Sequence, residues 1–246
     1  VVRGVLGSAA PQWVVNTAAM HHVESCEGDP ARSFEVNAIG PRNLAEVCNE
    51  LGAVLAHVST DYVFDGAKRA PYLEDDLPAP LNVYGTTKLA GEHFVQALAE
   101  RHYIFRVSGL YGANPCRAKG HNFVSLMLKL ASERDTVRVV DDEVLTPTWT
   151  VDVARQIVRV VEGGGAEYGL YHTTAGGACS WYEFAGEIFR LAGADVNLEK
   201  AAPGEFPAKV PRPLYSVLDN RRLRERALDV MPHWREGLAG FLASRG

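Results

Sequence analysis

Tyr84 and Lys88 are the two residues of this chain whose types and spacing best suit a proton transfer. They lie four positions apart in a segment, Val83 to Glu100, whose pattern predicts a helix, so both side chains project from one helix face. An ammonium group beside a phenol favours the tyrosinate and lowers the tyrosine pKa from about 10 toward the working pH. Because general-acid catalysis of carbonyl reduction uses such a phenol, we predict that Tyr84 and Lys88 are catalytic.

Thr60 supplies a third candidate group. It lies on the loop that leaves an apolar strand predicted at Ala53 to Val58, a pattern typical of a strand buried on both faces of a parallel sheet. From that position its hydroxyl could polarise the carbonyl oxygen that Tyr84 protonates. A Tyr-x-x-x-Lys spacing alone is a weak signal, and the surrounding elements therefore decide its weight.

The remaining segments alternate between short apolar runs and helical patterns, which is typical of an α/β fold with a parallel sheet and crossover helices. Further strands are predicted at Trp13 to Asn16, Tyr103 to Val107, Thr136 to Val140 and Gly169 to Thr173. Further helices are predicted at Pro30 to Leu51 (ended by Gly52), Asn122 to Glu133, Val151 to Glu162, Trp181 to Ala192, Arg221 to Ala227 and Trp234 to Ala243. We expect one large domain, or one with a small lobe.

Composition excludes several classes of partner. The formal net charge is −5 and no run of Lys or Arg occurs, which argues against nucleic acid as a primary partner. No apolar run reaches the ~18 residues of a membrane span, and the start lacks the pattern of a signal peptide, so we expect a cytoplasmic protein that does not enter the membrane. The four cysteines, Cys26, Cys48, Cys116 and Cys179, lack a C-x-x-C spacing and are expected to be reduced thiols.

The histidines do not predict a metal site. His21 and His22 are adjacent, so on an extended segment their side chains point apart, and no pattern of carboxylates or cysteines completes a ligand set. His57 and His172 lie in predicted strands and are expected to be core or edge residues. We predict no metal centre.

The segment that contains these candidates resembles a known family. An apolar strand ending in S-T-D, a Pro-rich loop and a helix that opens with Tyr and Lys form the layout of the short-chain dehydrogenase/reductases. More narrowly, H-V-S-T-D-Y-V-F-D-G from His57 and P-L-N-V-Y-G-T-T-K-L-A-G-E from Pro80 resemble the dTDP-4-dehydrorhamnose reductases. The likeness extends over nearly the whole chain from Trp13.

This resemblance implies a Rossmann-like doubly wound parallel sheet with a smaller C-terminal substrate-binding lobe. Residues 1–140 would form a partial NAD(P)-binding domain, and residues 141–246 mainly the lobe, with some elements returning to the sheet. The implied reaction is the reduction of a nucleotide-linked 4-keto-6-deoxy sugar, dTDP-4-dehydro-L-rhamnose to dTDP-L-rhamnose. The implied cofactor is NADPH, with NADH possible. A homodimer would form through the helices Pro30 to Leu51 and Val83 to Glu100.

The resemblance also assigns binding residues. The cofactor would contact Asn16, Ala18, Ala19, Met20, His21 and Asn37, together with Tyr84 and Lys88. The sugar nucleotide would contact Thr60, Asp61, Tyr62, Gly109 and Arg212. Asn37 could equally be a polar helix residue, and small alanines could reflect helix packing. Asp61 could instead cap a turn with Tyr62 in the core, and Arg212 could form a structural ion pair in place of a phosphate contact.

One position departs from the family pattern. Well-known members carry R-x-S-W-x-Y, whose Trp contacts the sugar, whereas this chain reads R-V-S-G-L-Y with Gly109 in that place. Loss of a large aromatic side chain would enlarge or reshape the sugar pocket. The departure therefore does not affect the assignment of the catalytic residues, but it puts the identity of the sugar in doubt. Trp149 is at a different position and does not replace it.

The start of the chain lacks a pattern that the family implies. A dinucleotide-binding half begins with a strand, a Gly-rich turn and a helix that holds the pyrophosphate, but Gly4 and Gly7 follow no strand and suit ordinary loop or helix-end positions. We expect that about 45 residues, the first βαβ unit, precede Val1. The chain as printed is then expected to be inactive for want of the cofactor loop.

Two other functions remain open from sequence. A non-catalytic regulatory homologue, such as the reductase-related subunit that binds methionine adenosyltransferase, can keep the Tyr and Lys. A nucleotide-sugar epimerase or dehydratase shares the same layout, although the S-T-D-Y-V-F form favours reductases.

Overall fold

The computed structural model describes residues 2–114, 120–163, 167–202 and 204–245. Its strands are β1 Trp13–Asn16, β2 Val54–Thr60, β3 His102–Val107, β4 Leu110–Tyr111, β5 Thr136–Val139, β6 Val144–Leu145, β7 Thr148–Trp149, β8 Gly169–His172, β9 Cys179–Ser180 and β10 Asn197–Lys200. Its α-helices are α1 Val2–Ala9, α2 Val23–Gly28, α3 Pro30–Phe34, α4 Gly40–Leu51, α5 Val83–Leu98, α6 Phe123–Glu133, α7 Thr150–Glu162, α8 Trp181–Ala192, α9 Arg221–Glu225 and α10 Trp234–Ala243. A π-helical turn, Glu35–Ile39, joins α3 to α4, and a 3₁₀ turn, Asp61–Val63, follows β2.

The main sheet of the described residues has four strands in the order β1-β2-β3-β8, all parallel. Leu55 and Ile104 point to one face and pack with α4 and α5, while Phe105 and Tyr171 point to the other and pack with α7 and α9. Alternate residues of one strand face opposite sides of a sheet, so both faces are buried. The predicted doubly wound α/β fold is confirmed.

Several predicted boundaries shift in ways that bear on the site. β2 continues to Thr60, so this residue ends the strand; the prediction that it lies on a following loop was wrong. The single helix predicted from Pro30 to Leu51 is interrupted by the π-helical turn. Gly52 ends α4 with a left-handed φ of 65°, as a helix C-terminus often requires.

Other elements were not predicted. α1 and α2 fill stretches left without structure, and β10 pairs with β5 in a separate small sheet. Gly4 and Gly7 lie inside α1. Short or exposed elements carry a weak apolar pattern, and β10 has no buried residue, which explains why sequence periodicity did not reveal it.

A second apolar core lies outside the main sheet. Its large members are Tyr111, Phe184, Trp234, Leu238 and Phe241. They bring together β4, α8 and α10, and α6 and β5 add Met127 and Val139. This core draws residues from both sides of the predicted division at 140/141, which stays a prediction, whereas α7 and β8 return to the main sheet.

A buried ion pair ties α5 to the main sheet. Arg106 of β3 donates to Glu92 of α5 from Nε (3.0 Å to Oε1) and from a terminal nitrogen (2.7 Å to Oε2). The hydroxyl of Ser59 on β2 also donates to Glu92. Both charged side chains are at most 4% exposed, so either charge would be strongly destabilising without its partner.

The structure also bears on the cysteines and on membrane insertion. Cys26, Cys48 and Cys179 are buried free cysteines, and Cys116 lies outside the described residues. In the parts of the chain that the structure describes, no helix combines the length and apolar character needed to cross a membrane.

Replacement of Glu92 tests the role of the ion pair. We expect Glu92→Gln to lower the free energy of unfolding by about 3 kcal/mol or more, because it leaves the Arg106 charge buried and unpaired. Urea unfolding followed by circular dichroism measures the change. The matched control is Glu46→Gln, which breaks an exposed pair with Arg42 on α4 and should cost less than about 1 kcal/mol. A similar small cost for Glu92→Gln would contradict the anchoring role.

Candidate active site

A cavity of about 380 Å³ opens at the carboxyl ends of β1, β2 and β3. Ligands of open parallel sheets bind at this edge. Nine of the residues predicted for the site line the cavity: Ala19, His21, Thr60, Asp61, Tyr62, Tyr84, Lys88, Gly109 and Arg212. The other four, Asn16, Ala18, Met20 and Asn37, are not among its lining residues.

Tyr84 reaches the cavity because α5 begins unusually close to the turn after β2. Asn82 caps the helix by accepting from the Gly85 N–H at 2.9 Å. A Cβ atom on Gly85 would lie 2.2 Å from the carbonyl oxygen of Tyr62, so only glycine permits this approach. As a result the Tyr84 ring lies edge-on to the Tyr62 ring, with centroids 5.7 Å apart.

The environment of Tyr84 corrects one expectation. Burial raises the pKa of Tyr84 above its usual value, and a hydrogen bond with Thr60 opposes this only in part. The predicted lowering by Lys88 was therefore wrong for this structure, since removal of the phenol from water dominates and the nearby Asp61 charge raises the pKa of Tyr84 further. Tyr84 consequently keeps its proton at neutral pH, which is the state a proton donor needs.

Lys88 lies fully within the protein. Its Nζ donates to the carbonyl oxygen of Val58 at 2.7 Å. Burial lowers the pKa of Lys88 to about 8, against the opposing charge of Glu92 one turn later. An ammonium has three N–H donors, so donors remain for a ligand in the cavity beside the Val58 bond.

His57 was expected to be an ordinary strand residue, and the structure places it against Lys88. The Ala18 N–H donates to Asn16 Oδ1 at 3.1 Å, which orients the Asn16 amide so that Nδ2 donates to His57 Nδ1 at 3.0 Å. Burial lowers the pKa of His57 well below its usual range, so the ring is neutral. The ring's one proton is then on Nε2, which lies 3.5 Å from Lys88 Nζ. Because this nitrogen carries the proton, it cannot accept a hydrogen bond from the Lys88 ammonium. The only sequence signal was its place at the start of H-V-S-T-D.

Asn37 acts on the segment that borders the cavity. It lies in the π-helical turn, fully buried, where Oδ1 accepts from the Met20 N–H at 2.8 Å and Nδ2 donates to the Met20 carbonyl at 2.9 Å. The same amide donates to Thr87 Oγ1 of α5 at 3.0 Å. Asn37 and Asn16 thus hold the segment 17–21, which supplies the lining residues Ala19 and His21, in place. Their direct contact with a cofactor stays a prediction.

Asp61 is a buried residue of the cavity wall. Its carboxylate accepts from Ser108 Oγ at 2.8 Å and from Thr60 Oγ1 at 3.0 Å, and Ser216 hydrogen-bonds it as well. Burial raises the pKa of Asp61, and these hydrogen bonds oppose the rise. The turn after β2 is capped by Thr60, which accepts from the Tyr62 N–H. Asp61 therefore braces Thr60, and Tyr62 is half-buried with its ring in the cavity wall.

Arg212 has the structural ion pair that sequence left open. Its guanidinium pairs with Glu24 of α2, and it also lines the cavity. Its Nε atom is buried without a hydrogen-bond partner. On the same helix His22 caps the first turn and lies 3.3 Å from Glu24. Among the described residues, no group of three or more His, Cys, Asp or Glu could hold a metal ion.

Gly109 does not simply leave the space of a missing Trp side chain empty, because the backbone there leaves no room for a side chain. Its φ is +56°, and a Cβ there would lie 2.9 Å from both Leu145 Cδ1 and the carbonyl oxygen of Thr146. No side chain fits without movement of the segment between β6 and β7. The space expected from a lost Trp is thus partly taken by Leu145. Trp149 packs against Phe241 of the second core, as expected for a residue outside this role.

Comparison with known proteins adds the family. The family described as RmlD substrate binding domain matches residues 1–245. The chain belongs to this family. It is 42% identical over 242 residues to a dTDP-4-dehydrorhamnose reductase of Streptomyces griseus, covering 96% of this chain and 78% of that protein.

Two further comparisons carry more detail. A dTDP-4-keto-6-deoxy-D-glucose reductase of Streptomyces niveus is 41% identical over 239 residues, covering 96% of this chain and 81% of that protein. The crystal structure of dTDP-4-dehydrorhamnose reductase from Bacillus anthracis in complex with NADP has a TM-score of 0.92 and 38% identity, covering 99% of this chain and 84% of that one. The predicted family is confirmed.

The buried Lys88 makes stability depend on pH. Its pKa is about 8 in the folded chain and 10.5 when exposed, so between these values the unfolded chain binds more protons and wild-type stability rises with pH. We therefore compare the free energy of unfolding of Lys88→Met with that of wild type at each pH. We expect this difference, variant minus wild type, to be about 2 kcal/mol larger at pH 7 than at pH 10.

Urea unfolding of both proteins at each pH measures this difference without cofactor. The comparison cancels other titrating groups and any constant cost of the lost Val58 hydrogen bond. An exposed control, Lys129→Met on α6, should show a difference that does not vary with pH. A flat profile for Lys88→Met would contradict the burial of an ionisable amine at this site.

Proposed function

We propose that this chain catalyses the NADPH-dependent reduction of a nucleotide-linked 4-keto-6-deoxy sugar, with Tyr84 as the proton donor and dTDP-4-dehydro-L-rhamnose as the substrate. The observation that carries the proposal is the convergence of Tyr84, Thr60 and Lys88 on one cavity in a chain of this family. The names of its relatives favour reduction over the regulatory and epimerase alternatives.

The residues around the cavity fit the nicotinamide and ribose end of the cofactor. Lys88 retains N–H donors beyond its bond to Val58, and these suit ribose hydroxyls. Ala19 borders the cavity with a side chain small enough for close approach of a ring. When bound, NADPH supplies the hydride that reduces the keto carbon. A structure of a 38% identical relative with NADP supports the choice of NADPH over NADH.

The chain's own groups manage the proton. Tyr84, kept protonated by burial, donates its phenolic proton to the oxygen of the keto group as negative charge develops there. Thr60 lies at the same place with its single O–H donated to Asp61, so the proposal includes rotation of this hydroxyl from Asp61 to the keto oxygen when the substrate binds. Lys88 places a positive charge beside the developing tyrosinate and stabilises it.

The binding of the sugar nucleotide draws on the C-terminal half of the chain. Arg212 borders the cavity and its Nε lacks a partner, so its guanidinium suits a diphosphate. A division into a cofactor-binding part, residues 1–140, and a mainly substrate-binding part, residues 141–246, completes the proposal. The proposal also includes the pairing of two copies of the chain through α4 and α5, and a cytoplasmic location.

Removal of the Tyr84 hydroxyl tests the proton donor. We expect Tyr84→Phe, in the complete gene product, to lower kcat by about 100-fold or more, since a positioned general acid contributes about that much. The assay follows NADPH oxidation by absorbance with saturating dTDP-4-dehydro-L-rhamnose, and circular dichroism checks folding. Tyr168→Phe, at a half-exposed ring outside this cavity, should leave kcat unchanged. Near-normal turnover of Tyr84→Phe would remove it from the mechanism.

A comparison of sugars tests the substrate. We expect the complete wild-type protein to show a kcat/KM for dTDP-4-dehydro-L-rhamnose at least tenfold above that for dTDP-4-keto-6-deoxy-D-glucose, the sugar in the name of the Streptomyces niveus relative. The same NADPH assay measures both. The reverse order would overturn the rhamnose assignment and keep the reductase. No oxidation with either sugar, while NADPH binds, would contradict the proposed function.

A further inference from the structure

A second, smaller cavity adjoins the catalytic cavity. Its volume is about 140 Å³, and Asp61, Tyr62 and Gly109 line both cavities. The rest of its wall includes Glu143, Trp181 and Ser216, none of which the sequence assigned to the site. A ligand whose carbonyl lies at Tyr84 and Thr60 therefore has room for neighbouring atoms past Asp61 and Tyr62.

Trp181 presents a fixed aromatic surface to this cavity. It is the first residue of α8, whose N-terminus is secured by a capping box between Ser180 and Glu183. Its indole Nε1–H donates to Glu143 Oε2 at 3.1 Å, and its ring packs against Phe123 with centroids 4.4 Å apart. An aromatic side chain held at both its polar and apolar ends loses little freedom when a ligand binds.

Glu143 adds hydrogen-bonding capacity to the same wall. A carboxylate offers about four acceptor sites, and the indole N–H uses one of them. Its negative charge also acts on Tyr62, which lines both cavities, and on Arg212 of the larger one. A planar apolar surface beside an anionic acceptor suits a ligand with C–H groups on one side and hydroxyls at its edge.

Gly109 explains why this wall comes from a distant part of the chain. A side chain at Gly109 would collide with Leu145 and Thr146, so residue 109 cannot present an aromatic ring to a ligand with this backbone. Trp181 stands across the small cavity that Gly109 also lines. Its indole therefore provides an aromatic surface next to the catalytic cavity without any side chain at 109.

We propose that the small cavity binds the hydroxyl-bearing edge of the keto-sugar ring, with the Trp181 indole against ring C–H groups and Glu143 accepting from a ring hydroxyl. This rests on the proposed function and makes both residues determinants of sugar specificity. The sugar ring is favoured over the nucleobase because the shared residues Asp61 and Tyr62 directly follow Thr60. The nucleobase is separated from the ring by the diphosphate and cannot reach a cavity that adjoins the reacting carbonyl.

Binding measurements separate the sugar from the rest of the substrate. In the complete gene product with NADPH bound, we expect Trp181→Ala to weaken binding of dTDP-L-rhamnose about tenfold and to change binding of dTDP by less than twofold. Isothermal titration calorimetry measures both dissociation constants, and Glu143→Gln, which keeps the size of the side chain, should show the same pattern with a smaller loss. Trp149→Phe, in the second core and outside both cavities, is the control and should leave both unchanged.

The outcomes are distinct. Equal weakening of dTDP and dTDP-L-rhamnose by Trp181→Ala would assign the cavity to the nucleotide or to a structural role and would overturn the proposal. Unchanged binding of dTDP-L-rhamnose by both variants would overturn it as well. Because these measurements need no turnover, a wild-type protein that binds the sugar nucleotide without oxidising NADPH would refute the proposed function while the sugar-binding role of Trp181 is still decided. Circular dichroism of each variant checks that it is folded.

Discussion

The buried pair of Glu92 and Arg106 is the interaction on which the positions of Tyr84 and Lys88 depend. Tyr84, Lys88 and Glu92 follow one another at intervals of four on α5, so they share one face of the helix. Hydrogen bonds from Arg106 and from Ser59 hold the last of the three against β2 and β3. The first turn is held by the contact between Gly85 and the Tyr62 backbone. These contacts at both ends of the face fix the backbone of α5 against the strands, and with it the positions from which the Tyr84 and Lys88 side chains project.

Burial then sets the chemistry of the site. It raises the pKa of Tyr84 and lowers the pKa of Lys88 to about 8, since each charged form loses its hydration. The hydrogen bonds from Ala18 to Asn16 and from Asn16 to the neutral His57 ring turn the Nε2–H of His57 toward Lys88. These effects leave the proton on Tyr84 at neutral pH.

The substrate side of the site is assembled from segments far apart in sequence. Arg212 reaches α2 through Glu24, and the turn between β5 and β6 places Glu143 against Trp181 at the start of α8. Ser216 bonds Asp61 directly beneath Thr60. The proposed binding of the sugar nucleotide and the orientation of the Thr60 hydroxyl are therefore linked through shared side chains, whereas Glu92 of α5 is held by Arg106 and Ser59 of the main sheet.

Local pattern was enough to predict the parallel sheet and most of its helices, and the group of Thr60, Tyr84 and Lys88 followed from local pattern together with the family resemblance. Strand and helix periodicity, the capping box of Ser180 and Glu183 and a four-residue spacing are properties of neighbouring residues, so the sequence by itself determined them. The tertiary structure alone decided the raised pKa of Tyr84, the contact of His57 with Lys88, the π-helical turn around Asn37, the crowding at Gly109 and the wall formed by Glu143 and Trp181. Each of these depends on burial or on atoms brought together across many residues, and neither composition nor spacing records which distant side chains meet.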